Sequence, residues 1–420
     1  MKQVVCTSKN IEVIDVPSSL LEKGTLLVEV DYSFISTGTE LATLRALGLD
    51  QSENIDRGLS QNISKSKELI RKVVNYLRER GIRKTVERVF SRISHDNVNS
   101  DRLVTLGYSC SGRVVSVGDG VKGFTVGDLV ACSGANRATH SELVVVPENL
   151  VVPIPQGCPI KDASSVAVGA IAMQAVRRTG VALGESVAVI GLGLVGLLSA
   201  KMLQCAGARI LGFDIDESRV DKAKALGINE ACSEAADIQR TVNNFTRKMG
   251  VDVCLVAAGS KDNSILQTAT EITRKKGRVV IVGLVPMQFN INPFLRKELD
   301  LLASISYGPG RYDDRYEEKG FDYPYAYVRW TEKRNMEEYL RLLAQNKVDL
   351  TKIASKEFDL DNAAIAYDFL QNGSAESLIS LGFSSTKHSS YFGIKVLNAD
   401  YNDLYNFNKW KIVMSDATNY

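Results

Sequence analysis

Hydrophobic and polar positions alternate in two distinct rhythms along the chain. Residues 187–190 form a short, β-branched apolar run with the length of a buried parallel strand. Glycines follow it, then an apolar segment of helical length, then a second apolar run at 210–213 that ends on Asp214. The same rhythm predicts a helix over 217–226 closed by Gly227, a strand over 251–257 and a helix over 263–276. Strands over 278–282 and 301–307 follow, and 163–179 predicts a helix leading into the series. Such βα alternation predicts a doubly wound parallel sheet. The N-terminal part differs. Residues 1–44 read as short strands, with 26–33 alternating after Gly24, and strand-like runs return from Leu106 to Val130. Turn signals at this spacing predict a small all-β barrel or sandwich.

The glycines between the first apolar run and its helix read Gly191-Leu192-Gly193-Leu194-Val195-Gly196. Gly191 permits the tight turn, Gly193 lets backbone approach a pyrophosphate, and Gly196 lets the helix pack closely on the strand. The helix N-terminus offers N–H groups and positive dipole to phosphate. Asp214 follows about 20 residues on, where a carboxylate accepts the hydroxyls of an adenosine ribose. The pattern predicts a nicotinamide-type dinucleotide, with Leu194, Val195, Ala257 and Gly283 completing its contacts. NAD is favoured over NADP, because Asp214 would repel a 2′-phosphate. Arg209 and Arg219 nearby keep NADP as the alternative.

Composition narrows the classes. The 420 residues are 45% hydrophobic and 24% charged, ordinary for a globular chain with room for two cores. A net charge of +2 argues against a polyanionic partner, and no apolar stretch is long and uncharged enough to span a bilayer. The N-terminus lacks the apolar core and cleavage site of a secretion signal. The seven cysteines are scattered without a CxxC pair, which predicts reduced thiols and a cytoplasmic protein.

The order of barrel, bridging helix, glycine motif and return segment resembles the medium-chain dehydrogenase/reductase superfamily of the alcohol-dehydrogenase type. Gly118-Asp119-Gly120-Val121-Lys122-Gly123-Phe124-Thr125-Val126-Gly127-Asp128-Leu129-Val130 carries the likeness in the barrel. The resemblance covers about residues 1 to 383. It implies an α/β chain: a GroES-like β-barrel catalytic domain over 1–169, a Rossmann dinucleotide-binding domain over 170–307, and a return segment over 308–383. Substrate would lie in the cleft between them. A narrower likeness rests on Ser306-Tyr307-Gly308-Pro309-Gly310-Arg311-Tyr312 and Tyr327-Val328-Arg329-Trp330-Thr331-Glu332. It resembles a bacterial subgroup encoded with surface-polysaccharide enzymes, often as two-domain oxidoreductases whose second module is of the glucose–fructose oxidoreductase type. That module is missing here, which makes a separately encoded counterpart a candidate partner. The polar tail 384–420 has no assigned role.

Zinc enzymes of the superfamily need three protein ligands and one open position. Their first cysteine falls on Thr37, their histidine on Tyr108, and the third ligand near Ala167. The four-cysteine structural lobe is also absent, and the three histidines (95, 140 and 388) share no ligand spacing. The expectation is therefore no zinc. Thr39 matches the family's hydroxyl relay, and the Tyr108 phenol would point where the metal lies. Glu40 and His140 are further catalytic candidates, against plain ion-pair and structural roles. Arg311, Tyr312 and Arg329 are candidates for anchoring an anionic or polyhydroxylated substrate.

Residues 65–92 carry ten basic and three acidic side chains on a helical pattern, within an insert spanning 60–95. This predicts two amphipathic helices with solvated basic faces, rather than a nucleic-acid or membrane site. The sequence thus predicts a zinc-independent, NAD(H)-dependent oxidoreductase, and the resemblance implies a homodimer. Its small-molecule substrate would be a sugar or nucleotide sugar of surface-polysaccharide metabolism. An enone or quinone reductase, or a dinucleotide-binding sensor without turnover, are the alternatives.

Overall fold

The computed structural model describes residues 1–7, 10–46, 103–228, 230–233, 235–260, 263–353, 355–371 and 378–383. The basic insert 60–95, His95, His388 and the tail 384–420 lie outside the described residues. All that follows concerns the unit Met1–Ser384.

Among the described residues, eight strands come before the helix Val166–Thr179: β1 (Lys2–Cys6), β2 (Ile11–Asp15), β3 (Thr25–Ile35), β4 (Val104–Thr105), β5 (Ser109–Val117), β6 (Leu129–Ser133), β7 (Leu143–Pro147) and β8 (Val151–Pro153). Six follow it: β9 (Ser186–Ile190), β10 (Arg209–Phe213), β11 (Glu230–Cys232), β12 (Val251–Val256), β13 (Thr273–Ile281) and β14 (Asp300–Ala303). β15 (Ser355–Asp359) and β16 (Leu378–Gly382) close the series.

The later six strands pair in the order β11-β10-β9-β12-β13-β14, each parallel to its neighbour. This is the doubly wound order, in which strand direction of travel reverses between β9 and β12. The crevice beyond their C-terminal ends is where such sheets bind ligands. β9 is buried along its whole length, as expected for a strand covered on both faces.

The GroES-like part is built on β3. It is the longest strand, and β5, β7 and β16 all pair with it antiparallel. The sheet runs β15-β16-β3-β5-β6-β8, and a smaller sheet runs β2-β1-β4. The helix Val166–Thr179 joins the two parts: its residues share one core with Tyr108 of the barrel, Leu197 of the glycine-motif helix and Met336 and Tyr339 of the helix Glu332–Ala344. Leu197, Leu198 and Leu203 are fully buried there, and each such side chain contributes about 1.5–3 kcal/mol.

Three expectations about elements need correction. Residues 37–44 are not extended: Thr37–Ala46 is a helix. Its first turn is closed reciprocally, Glu40 N donating to Ser36 O and Ser36 N to Glu40 Oε1, a local arrangement that strand periodicity does not register. The helix expected over 263–276 stops at Ile272, because buried Thr273 turns extended and pairs with Val251. The last parallel strand ends at Ala303, and the chain then turns through Ser306 at φ 48°.

Candidate active site

β9 delivers the chain into Gly191, whose φ is +96° and whose absent Cβ would lie 2.5 Å from Ala258 N. A Cβ at Gly196 would lie 1.8 Å from Gly191 O, so the helix Leu194–Cys205 can approach β9 only with glycine there. Gly193 is different: a Cβ on it meets nothing within 4 Å. The helix start at Leu194, Val195 and Gly196 has no side-chain cap, and the first N–H groups of a helix are the ones that can bind phosphate. Asp214, at the end of β10, is nearly buried; Oδ2 accepts from Leu192 N at 2.7 Å and Oδ1 from Asp216 N at 3.0 Å. It braces the loop from below while Arg219 approaches Oδ2 at 3.4 Å. Ala257 N donates to Ile190 O, and a Cβ at Gly283 would lie 2.0 Å from Ala258 O, so both residues rim the same crevice. Arg209 does not join them: its guanidinium stacks on Phe245 at 4.2 Å and donates to Phe245 O. The open cradle, the uncapped helix and the carboxylate fit a dinucleotide. When bound, a nicotinamide supplies or takes up hydride.

On the barrel side, Thr39 is exposed on the first turn of its helix and Tyr108 is buried just before β5. Tyr108 Oη donates to Thr39 Oγ1 at 3.4 Å. Burial pushes the Tyr108 phenol up to about 12; hydrogen bonds from Ser36 and Thr39 oppose that, and the Glu40 carboxylate adds to it. The phenol is therefore a neutral donor near pH 7. Its ring stacks on Tyr307 with centroids 6.4 Å apart.

Glu40 and His140 are buried behind this pair. His140 Nε2 lies 3.0 Å from Glu40 Oε2, His140 Nδ1 bonds the Ser33 hydroxyl, and Tyr367 Oη donates to Glu40 Oε2. With Ser36 N on Oε1, the Glu40 carboxylate is fully engaged and holds the Thr37–Ala46 helix against the barrel. Ser33, on β3, and Tyr367, on the helix Ala363–Gln371, carried no sequence signal; only the tertiary fold brings them to Glu40 and His140.

The resemblance implies a metal held by three protein ligands with one open position. The positions on which the resemblance puts the ligands read Thr37, Tyr108 and Ala167 in the sequence, and neither threonine, a neutral tyrosine nor alanine is a zinc ligand of the usual kind. Among the described residues, no three His, Cys, Asp or Glu side chains gather as a metal site. The donor set does not fit zinc.

Arg311 and Tyr312 are linked to Tyr108. The Arg311 guanidinium lies 5.2 Å from the Tyr307 ring centroid and 4.2 Å from that of Tyr312, and it pairs with Glu317. Thr39, Tyr108, Tyr307, Arg311 and Tyr312 thus form one continuous file. Arg329 belongs to a separate exposed stack, 3.8 Å from the Trp330 centroid and 4.7 Å from Tyr325.

Residues 83–156 match the alcohol dehydrogenase GroES-like domain, and residues 195–319 match the zinc-binding dehydrogenase family. The (R,R)-butanediol dehydrogenase of Bacillus subtilis is 31% identical over 241 residues, covering 51% of this chain and 68% of that protein. The chain belongs to the alcohol-dehydrogenase-like medium-chain dehydrogenase/reductases. It is accordingly an NAD(P)-dependent oxidoreductase. A sorbitol dehydrogenase of Halalkalibacterium halodurans is 26% identical over 305 residues, covering 65% of this medium-chain dehydrogenase and 81% of its relative. The fold matches the alcohol dehydrogenase of Thermus sp. ATN1 with a TM-score of 0.66 at 19% identity, covering 91% of this chain and all of the other. No helix among the described residues is long and apolar enough to cross a membrane.

Proposed function

We propose that this dehydrogenase interconverts an alcohol and a carbonyl on a sugar or polyol, using NAD(H) and no catalytic zinc. The observation that carries the reading is the hydrogen-bonded hydroxyl pair Tyr108–Thr39, on positions where the resemblance implies a metal-ligating histidine and a hydroxyl relay. When substrate binds, the single O–H of neutral Tyr108 turns from Thr39 to the substrate oxygen, and such a donor supplies about 10²–10³ in rate. Thr39, exposed and in contact with Tyr108, passes the proton between that oxygen and water. Sorbitol and butanediol dehydrogenases among the relatives support a polyhydroxylated substrate, and the subgroup resemblance supports a role in surface-polysaccharide metabolism.

The preference for NAD rests on Asp214, which a 2′-phosphate would meet as a buried negative charge. We also read the enzyme as a homodimer. β14 is an edge strand, and Leu284, Met287, Ile291 and Leu295 are exposed on the neighbouring segments, a surface suited to a second copy. The test of the central reading is oxidation of a polyol panel by metal-stripped enzyme with NAD. Turnover by Tyr108→Phe equal to wild type would refute it, as would turnover that appears only with added zinc.

A further inference from the structure

Behind Tyr307, in the return segment, two buried polar side chains and a partly buried arginine have hydrogen-bonding atoms left over. Glu332 is fully buried, and neither carboxyl oxygen has a partner. Asn335 is also fully buried; its amide N–H groups go to Tyr307 O at 2.9 Å and Gln174 Oε1 at 3.3 Å, and its Oδ1 has none. Arg311 gives Nη1 to Glu317 and retains an unpartnered, buried Nε.

These atoms belong together. Glu332 and Asn335 are three residues apart on the helix Glu332–Ala344 and so share a face. That face meets the Gly308–Gly310 turn: a Cβ on Gly310 would lie 3.1 Å from Glu332 Oε1, and one on Gly308 would lie 2.9 Å from Asn335 Nδ2. Both glycines have φ above 100°. Tyr307 stands between this cluster and Tyr108. Buried polar atoms without partners are costly and uncommon in native interiors. The Glu40 hub nearby shows that this fold can satisfy a buried carboxylate when nothing else is required of it.

We propose that Glu332, Asn335 and Arg311 form a subsite for the hydroxyl groups of an uncharged sugar or polyol, across the Tyr307 ring from Tyr108. This rests on the reading of the chain as a sugar or polyol dehydrogenase and extends it to the part of the substrate remote from the reacting carbon. A hydroxyl both donates and accepts, so it can give its proton to Asn335 Oδ1 or Glu332 while accepting from Arg311 Nε. The charge balance selects against anions. Arg311 is paired with Glu317, and burial, reinforced by Glu317 and opposed by Arg311, pushes the Glu332 carboxyl up to about 9, so it is an uncharged acid near pH 7. A phosphate or carboxylate would find no free positive charge. The subsite is closed in this conformation, so ligand entry requires the turn through Gly308 and Gly310 to shift.

The test uses full-length protein, with and without saturating NADH, and titration of sorbitol, xylitol, galactose and sorbitol 6-phosphate by calorimetry. Wild type is expected to bind at least one of the neutral compounds, and more tightly than the phosphate. Glu332→Leu and Asn335→Leu should each weaken that binding about tenfold or more, with NADH affinity within about twofold of wild type. Retained NADH affinity also reports that each variant has folded. Unaltered sugar affinity in both variants would overturn the subsite, as would tighter binding of the phosphate or no binding by any panel member. A crystal soaked in sorbitol that shows only an ordered water among the three side chains would overturn it too. Failure of wild type to bind NADH would instead strike at the dehydrogenase reading, because the sugar titration without cofactor still reports on the subsite.

Discussion

The hydroxyl of Tyr108 donates to that of Thr39 at 3.4 Å, and Tyr108 stands at the position on which the family resemblance puts a metal-ligating histidine. Removing either hydroxyl should therefore damage chemistry and spare cofactor binding. Tyr108→Phe and Thr39→Val are each expected to lower kcat about 10²–10³-fold, with the NADH dissociation constant unchanged by fluorescence. Because the phenol ionises only near 12, Tyr108 should add no alkaline limb to the wild-type rate profile below about pH 10.

Two glycines of one motif should fail in different ways. Gly196→Ala drives a methyl into Gly191 O, with 1.8 Å available, and is expected to unfold the sheet or lower Tm sharply. Gly193→Ala meets open space and should leave Tm nearly unchanged while abolishing tight NADH binding. Calorimetry beside a binding titration separates them, and intact NADH affinity in Gly193→Ala would exclude the cradle.

Cofactor choice should follow Asp214. Wild type is expected to bind NADH at least about tenfold more tightly than NADPH. Asp214→Ala should narrow or reverse that ratio, since it frees Arg219 to meet a 2′-phosphate. Equal wild-type affinities would refute the preference.

Chelation gives the prediction on metal. Protein purified and dialysed against a chelator is expected to hold far less than one zinc per chain and to keep its activity. Stoichiometric zinc with activity lost on its removal would mean that ligands come from elsewhere than Thr37, Tyr108 and Ala167.

Stability should report the state of Glu332. Its carboxyl titrates near 9 in the folded chain against an ordinary value of 4.5. The folded state therefore holds a proton that the unfolded state has released, and wild type loses stability as pH rises between those values. Glu332→Gln, always neutral, should gain on wild type by about 1 kcal/mol per pH unit across that window. A difference in Tm that stays constant from pH 5 to 9 would show that Glu332 is ionised in the native protein.

Much of this was legible in the sequence. The βα rhythm predicted the parallel sheet, and the spacing of Gly191, Gly193, Gly196 and Asp214 predicted the loop, because each residue acts within a short segment. Short-range capping was harder: Glu40 turns 37–46 into a helix through a bond to Ser36 that no hydrophobic pattern records. The barrel side of the site was least legible. Tyr307, Glu332 and Asn335 acquire meaning only when the return segment folds onto Tyr108, and Tyr367 lies 327 residues from the carboxylate it bonds. Arg311 illustrates the same limit. As a sequence position it offers a free positive charge, whereas in the fold Glu317 neutralises it.

The bond from Tyr367 to Glu40, together with the pairing of Ile35 with Ile379 and Tyr32 with Gly382, has a consequence for how the protein is made. During synthesis the strands β9 to β14 can complete their sheet while β3 still lacks its partner β16, which emerges last among the described strands. Closure of the barrel depends on contacts between distant parts of the chain and should be the slow step. A nascent or truncated chain would therefore acquire its dinucleotide fold first. Thr39 would be fixed only once the end of the return segment had docked.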